Sequence, residues 1–333
     1  MTKRFFLVLF LQIAFYLSSY AQTVNELQTN ARAFMRQGNY ENAVIVLTRC
    51  AEKEPTNTSV GKDLALSYYY IQNIAKALET IKPVLESNDA DDQCFLIAGN
   101  IYKQLEQPKE SEKVFKKGIK KFEESGPLYN ELGEIQILTG NKDAIKNWEK
   151  GIQKDPSYSK NYYNAARFYF FNKDNIWSIL YGETFVNMEP NSTKSVEIKK
   201  IIIENYKQLF SENNFANASK TTNSFATKVI ATLKKQASIT GFGINAETLY
   251  MIRTRFILDW FSEKDSPAFK LFEYQQQLLK AGMFEAYNQW LFGITENINS
   301  YQNWVKTNAV ENNTFLSFQK DRIFKVPTGQ YYH

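Results

Sequence analysis

Residues 140–156 read Gly-Asn-Lys-Asp-Ala-Ile-Lys-Asn-Trp-Glu-Lys-Gly-Ile-Gln-Lys-Asp-Pro, and residues 38–55 carry the same marks in the same order. Each opens on Gly-Asn, places a small residue soon after (Ala144, Ala43), then a large apolar one (Trp148, Leu47), then another small one (Gly151, Cys50), and closes on proline (Pro156, Pro55). A third segment passes Ser178, Gly182 and Phe185 before Pro190. Pro156 to Pro190 is 34 residues, and Pro55 to Pro156 is 101, one short of three such steps. The missing residue falls in the turn after Gly140. Two units between them lack the proline but keep Ala65, Tyr68 and Ala77, then Gly99, Tyr102, Ser111, Phe115 and Gly118. The result is five units, near residues 24–57, 58–91, 92–125, 126–158 and 159–192.

A fixed period of this length is the mark of stacked helix pairs, each unable to bury its apolar face alone. Where the first helix of a pair crosses the second, a small residue is required: Ala31, Ala65, Gly99, Gly133 and Ala166 on the first, and Ala43, Ala77, Ser111, Ala144 and Ser178 on the second. Phe34, Leu47, Tyr68, Ile81, Tyr102, Phe115, Leu132, Trp148 and Tyr169 fill the space between. The closing proline disfavours helix at the residue before it and ends the second helix. Over residues 24–192 this pattern resembles the tetratricopeptide repeat family. It departs from it at Leu27, where a large aromatic is usual, and at Asp89 and Glu123, where proline is common. The resemblance implies an all-α fold, a right-handed superhelical stack of helix pairs continuing into a C-terminal helical region.

Composition agrees with helices. The 333 residues include only 14 Gly and 8 Pro, too few for the many tight turns of a long β protein. An aromatic share of 15% argues for a well-filled core. Net charge is +5, and loss of Lys3 and Arg4 with a leader would leave an excess of about three. Such a small excess points to neither nucleic acid nor an anionic membrane. Lys3 and Arg4, the apolar run Phe5–Leu17, and Ser19-Tyr20-Ala21 before Gln22 read as a secretory signal cleaved after Ala21. The run is shorter than the roughly 20 residues that span a bilayer. The expected product is periplasmic or secreted, with residues 1–21 as signal peptide, 22–192 as five repeats, and 193–333 as degenerate repeats or a capping bundle.

That last part begins with a helix over 193–211 whose apolar face takes in Val196, Ile198, Ile201, Ile202, Ile203, Tyr206 and Leu209. An Asn/Ser-rich loop runs from Ser211 to Thr222, and helices are predicted near 223–237, 246–262, 267–281, 283–298 and 301–320. Asn245 is placed as a cap, and Ser266 with Pro267 as a helix start. The aromatic-dense stretch from Phe272 through Tyr274, Phe284, Tyr287 and Trp290 to Phe292 reads as packing that closes the open end of the stack.

The residues exclude several chemistries. His333 is the one histidine, which removes histidine-based triads, and two separated cysteines make no zinc framework. Cys50 and Cys94 fall on helices with another helix between, so free thiols are expected. Ser59–Lys62 and Ser157–Lys160 match Ser-x-x-Lys, but both lie at repeat starts and no Lys-Thr-Gly accompanies them. Gly241-Phe242-Gly243 reads as a turn. No cofactor or metal is implied. Paired carboxylates leave a carboxylate-dependent hydrolase in the C-terminal half as one alternative. A glycan-binding envelope protein is another.

The reading that the repeats favour is a non-catalytic scaffold or adaptor of the cell envelope, holding a protein or peptide on the face made by the first helices. Inward positions there are Gln28, Arg32 and Met35; Lys62, Leu66 and Tyr69; Leu96, Asn100 and Lys103; Asn130, Glu134 and Ile137; and Tyr163, Arg167 and Phe170. Of these, Arg32, Lys62, Tyr69, Asn100, Lys103, Glu134, Tyr163, Arg167 and Phe170 carry the charge, amide and ring chemistry suited to a peptide.

Overall fold

Ten helices in five pairs come first. The pairs are α1 (Val24–Arg36) with α2 (Tyr40–Lys53), α3 (Thr58–Tyr70) with α4 (Ile74–Leu85), α5 (Asp92–Gln104) with α6 (Pro108–Lys121), α7 (Gly126–Leu138) with α8 (Ala144–Lys154), and α9 (Ser159–Phe171) with α10 (Asn175–Met188). The computed structural model describes residues 23–211, 215, 218, 223–320 and 322–333. The leader expected over residues 1–21, and most of the loop expected from Ser211 to Thr222, lie outside them. Among the described residues every regular element is helical and none is a strand.

The pairing rests on the small residues. Ala31, Ala43, Ala65, Ala77, Ser111, Ala144, Ala166 and Ser178 are fully buried. A Cβ on Gly99 would lie 2.1 Å from the Phe115 ring, and one on Gly133 would lie 2.4 Å from Trp148. Ser111 Oγ donates to the Gly99 carbonyl at 2.9 Å, and Ser178 Oγ donates to the Ala166 carbonyl at 2.9 Å. A small side chain thus lets two helices close up, and a hydroxyl there also satisfies a buried polar group.

The turn inside each pair needs one residue in the left-handed region. Gly38 (φ 74°) and Gly140 (φ 77°) supply it in two pairs, while Gln72 (φ 61°), Glu106 (φ 56°) and Lys173 (φ 59°) do so in the other three. The next residue often caps the second helix: Asn39, Asn73 and Asp174 side chains accept backbone N–H groups at 3.2, 3.3 and 3.2 Å. Left-handed backbone costs a residue with a Cβ roughly 1–2 kcal/mol, partly offset by glycine's freer unfolded chain. Glu106→Gly and Lys173→Gly should therefore each raise stability by about 0.5–1 kcal/mol. Denaturant midpoints check this, and a drop at either site would contradict the turn assignment.

The chain divides into two compact units, one ending at Phe122 and one starting at Glu123. In the first unit, Leu27, Leu47, Val60 and Leu64 form a core around Ala31, Ala43 and Cys50. Both cysteines are buried and free. Burial pushes the Cys94 thiol up to about 11, and Sγ donates to Asp91 Oδ1 at 3.2 Å.

In the second unit the fourth and fifth pairs share one continuous core with the C-terminal helices. These begin with α11 (Thr193–Phe210), α12 (Ser224–Lys234), a 3-10 turn (Ala237–Phe242), α13 (Ala246–Ser262) and α14 (Lys270–Lys280). Then come α15 (Phe284–Asn288), a π-turn (Gln289–Gly293), α16 (Ile294–Glu296), α17 (Ile298–Thr307) and α18 (Ala309–Lys320). Helix α10 shows why this region exists. Every residue from Asn175 to Asn187 is buried, because α9, α11, α12 and α14 all pack on it. The aromatics Phe272, Tyr274, Phe284, Tyr287 and Phe292 are core. Asn245 caps α13 with a reciprocal bond to Thr248.

Three details differ from the sequence reading. Val196 is 56% exposed, off the buried face of α11. The third helix starts at Lys270 rather than at Pro267, and the Gln330 side chain accepts its first N–H at 2.6 Å. The helix expected over 301–320 breaks at Asn308, whose side chain donates to the Trp304 carbonyl.

Candidate partner-binding groove

The first helices of successive pairs touch within each unit, α1 with α3, α3 with α5, α7 with α9, and α9 with α11. Their shared face carries the residues singled out from sequence. In the first unit these residues mostly tie one repeat to the next. Arg32 Nε donates to Asp63 Oδ2 at 2.7 Å, and its Nη2 donates to Ser59 Oγ at 2.8 Å. Gln28 Nε2 reaches the same carboxylate at 2.8 Å. Lys62 pairs with Asp91. The Ser59 hydroxyl thus accepts from Arg32 while the Lys62 amine is held on a carboxylate, so this Ser-x-x-Lys does not form a serine–lysine pair. Tyr69, Asn100 and Lys103 are half-buried, and Tyr69 meets Tyr70 edge-on at 5.7 Å.

The second unit differs. Glu134, Tyr163 and Arg167 line a groove of about 550 Å³ with Ile137, Leu138, Trp148, Phe168, Phe171 and Lys194. Leu138 is 70% exposed and Phe171 is 69% exposed. Two large apolar side chains, one ending α7 and one ending α9, thus stand in water beside the cleft. Around them the polar groups are ordered. Tyr163 donates to Glu197 Oε2 at 2.7 Å, and Arg167 Nε lies 2.9 Å from Glu197 Oε1. Lys194 sits 4.4 Å from the Tyr163 ring centroid and Arg167 sits 5.3 Å from it. Burial, then the bond to Glu197, pushes the Tyr163 hydroxyl up to about 12. Asn164 Nδ2 donates to Asn130 Oδ1 at 2.9 Å, linking α9 to α7.

Phe170 is half-buried against the core, and its neighbour Phe171 is the ring that reaches the groove. Leu138 likewise stands one residue beyond Ile137. Both lie at helix ends, where a count of inward positions stops a residue short. The signal was present in sequence: an apolar residue directly before a turn, where a polar one is the norm.

No described group of three or more His, Cys, Asp or Glu side chains could hold a metal. Two buried carboxylates sit in separate networks. Glu183 on α10 pairs with Arg253 and accepts from Gln275 Nε2 at 2.7 Å and Tyr287 OH at 2.6 Å. Glu149 accepts from Tyr169 OH at 2.6 Å and lies 2.9 Å from His333 Nδ1. His333 arrives there on a segment anchored by its side chains, with Tyr332 stacked on Phe225 at 4.5 Å.

Comparison with known proteins agrees with this architecture. Residues 93–120 match the tetratricopeptide repeat model. PilF of Pseudomonas aeruginosa superimposes with a TM-score of 0.50 at 14% identity, covering 59% of this chain and 86% of PilF. YrrB, described as a TPR protein with an unusual peptide-binding site, gives 0.41 at 14% identity, covering 56% of this chain and 97% of its own. TTC0263, a thermophilic TPR protein of Thermus thermophilus, gives 0.45 at 13% identity, covering 54% of this chain and all (100%) of its own. No curated protein matches the sequence. The α5–α6 pair carries a recognisable tetratricopeptide repeat, and the chain around it has the fold of a tetratricopeptide stack.

Proposed function

We propose that the protein is a non-catalytic scaffold that holds a peptide segment of another protein in the groove of the second unit. The observation that carries this reading is the exposed pair Leu138 and Phe171 beside the Tyr163–Arg167–Lys194–Glu197 cluster. An extended segment would place apolar side chains on that pair and set a carboxylate against Lys194 and Arg167, whose charges are only partly offset by Glu197. On the first unit, taken by itself, Tyr69, Asn100 and Lys103 would offer a second face for a partner, flanked by Arg32 and Lys62, which Asp63 and Asp91 already hold. The leader-like sequence supports work in the periplasm or cell envelope after cleavage behind Ala21. No described helix is long and apolar enough to cross a membrane.

Co-purification from intact cells tests the reading. Leu138→Ser with Phe171→Ser should cut recovery of a specific partner at least tenfold, because each truncates a large apolar contact worth about 1–2 kcal/mol. Both side chains are mostly exposed, so the thermal midpoint should hold. Undiminished recovery would refute the groove as the docking site. N-terminal sequencing of the mature chain should begin at Gln22, and a mature chain retaining Phe5–Leu17 would refute the export proposal.

A further inference from the structure

A second pocket, sharing no residue with the groove, opens at the π-turn. It measures about 230 Å³ and is lined by Asn245, Glu247, Gln289, Gly293, Glu296 and Tyr301, with Trp304 as one wall. That is roughly eight times the volume a water occupies in the liquid, room for a head group of several heavy atoms.

Three observations mark it as built for a ligand. The first is Gln289. It is 5% exposed and lines the pocket, yet its carboxamide has no hydrogen-bond partner among the described residues. The residue is otherwise enclosed, so its amide opens only to the pocket, where a ligand would replace water as its hydrogen-bond partner. The second is the backbone. The π-turn is a one-residue insertion of a kind that recurs at binding sites. Gly293 lies within it, and a Cβ there would sit 2.7 Å from Gln289 Oε1 and 2.7 Å from the Tyr301 ring. Only glycine leaves the amide and the ring where they are. The third is charge. Glu247 and Glu296 both face the pocket, neither is in an ion pair among the described residues, and no Lys or Arg lines it.

The sign of the local field selects the ligand. The helices α13 and α17 begin at the pocket, and each N-terminus contributes about half a positive charge. Their first-turn N–H groups already bond to Asn245 and Asn297, at 2.9 Å for Thr248 N and 3.1 Å for Ser300 N. An anion would therefore find few donors and two carboxylates. Two full negative charges against two halves leave a net excess of about one negative charge. Trp304, held by its Nε1 on Glu285 Oε1 at 2.7 Å, and Tyr301 add aromatic walls, which are compatible with a cation. We propose that this pocket binds an organic cation, an alkylammonium or guanidinium group, with Gln289 Oε1 accepting one N–H and Glu247 and Glu296 balancing the charge. The source is either a basic side chain of a partner peptide or a free polyamine.

Calorimetric titration of the full chain tests this, with spermidine, a Gly-Arg-Gly peptide and glucose as probes. Saturable binding of spermidine or of the peptide is expected, with no heat from glucose, and the stronger of the two names the source. Gln289→Leu should weaken binding at least tenfold, and so should Glu247→Gln with Glu296→Gln. The second variant alters only exposed side chains, so it keeps the test open if Gln289→Leu fails to fold. Raised salt should weaken binding further. Binding of glucose alone, no saturable binding of either cation, or cation binding untouched by the glutamate variant would overturn the proposal. None of these outcomes bears on the groove, whose own variants leave this pocket intact.

Discussion

Replacing Arg253 with methionine should destabilise the second unit by about 3–5 kcal/mol, the largest single-site effect expected in the chain. Arg253 is 2% exposed and Glu183 is 1% exposed. The guanidinium pairs with Glu183 and donates from Nη1 to Asn288 Oδ1 at 2.6 Å. Three rings, Phe284, Tyr287 and Phe292, lie within 5.5 Å of its Cζ. Methionine fills much of the volume but leaves the Glu183 carboxylate buried without its counter-charge. The cost should fall largely on that orphaned charge, so Arg253→Met with Glu183→Gln should recover more than half of the loss. The readout is convenient, because all five tryptophans lie between Trp148 and Trp304 in the second unit. Their fluorescence against denaturant follows that unit alone. A shift below about 1 kcal/mol, or a double variant no better than the single, would contradict the role given to this pair.

Alkali should unfold the same unit cooperatively. Burial pushes the Tyr163 and Tyr274 hydroxyls up to about 12, and holds Tyr181 and Tyr287 well above the ordinary value of 10.0. A neighbouring carboxylate adds to the rise at all four: Glu197 at Tyr163, Glu149 at Tyr181, and Glu183 at both Tyr274 and Tyr287. A group whose folded pKa is raised contributes stability that is present below its unfolded pKa and lost above it. The loss should begin near pH 10 and continue up through the folded values. Each such tyrosine removes about 1.4 kcal/mol per pH unit in that window. The three more deeply enclosed ones, Tyr181, Tyr274 and Tyr287, together remove roughly 4 kcal/mol by one pH unit above 10, a large share of the stability of a domain. Tyrosinate absorbance should therefore rise in step with the loss of tryptophan fluorescence. Smooth ionisation near pH 10 with fluorescence unchanged would show these rings to be accessible.

The repeat was legible because its cause is local and recurs. Ala31, Ala65, Gly99, Gly133 and Ala166 are small for one steric reason, and that reason returns each 33 or 34 residues. One helix start was legible too, since Asn245 caps α13 as its position before the apolar run implied. The turns at Gln72, Glu106 and Lys173 were hidden, because the stack imposes a backbone there that those residues do not favour alone.

The site was less legible for a different reason. Arg32, Lys62 and Arg167 looked like free charges, but Asp63, Asp91 and Glu197 stand about one repeat further along. In a stack, one repeat away in sequence is adjacent in space, so much of that charge is spent between repeats. Gln289 gave no signal at all, because an amide within an aromatic helix reveals its cavity only once Gly293, Tyr301 and Trp304 are assembled around it.

The face bearing Phe171 is proposed to hold a partner. Its most direct test is a photo-crosslinking residue placed in intact cells at position 171, with a matched probe at Val310, which is 80% exposed and away from the groove. One discrete heavier product is expected from position 171, absent at position 310 and lost when Leu138→Ser and Arg167→Glu are added. Equal labelling at both positions, or products containing only this chain, would contradict it.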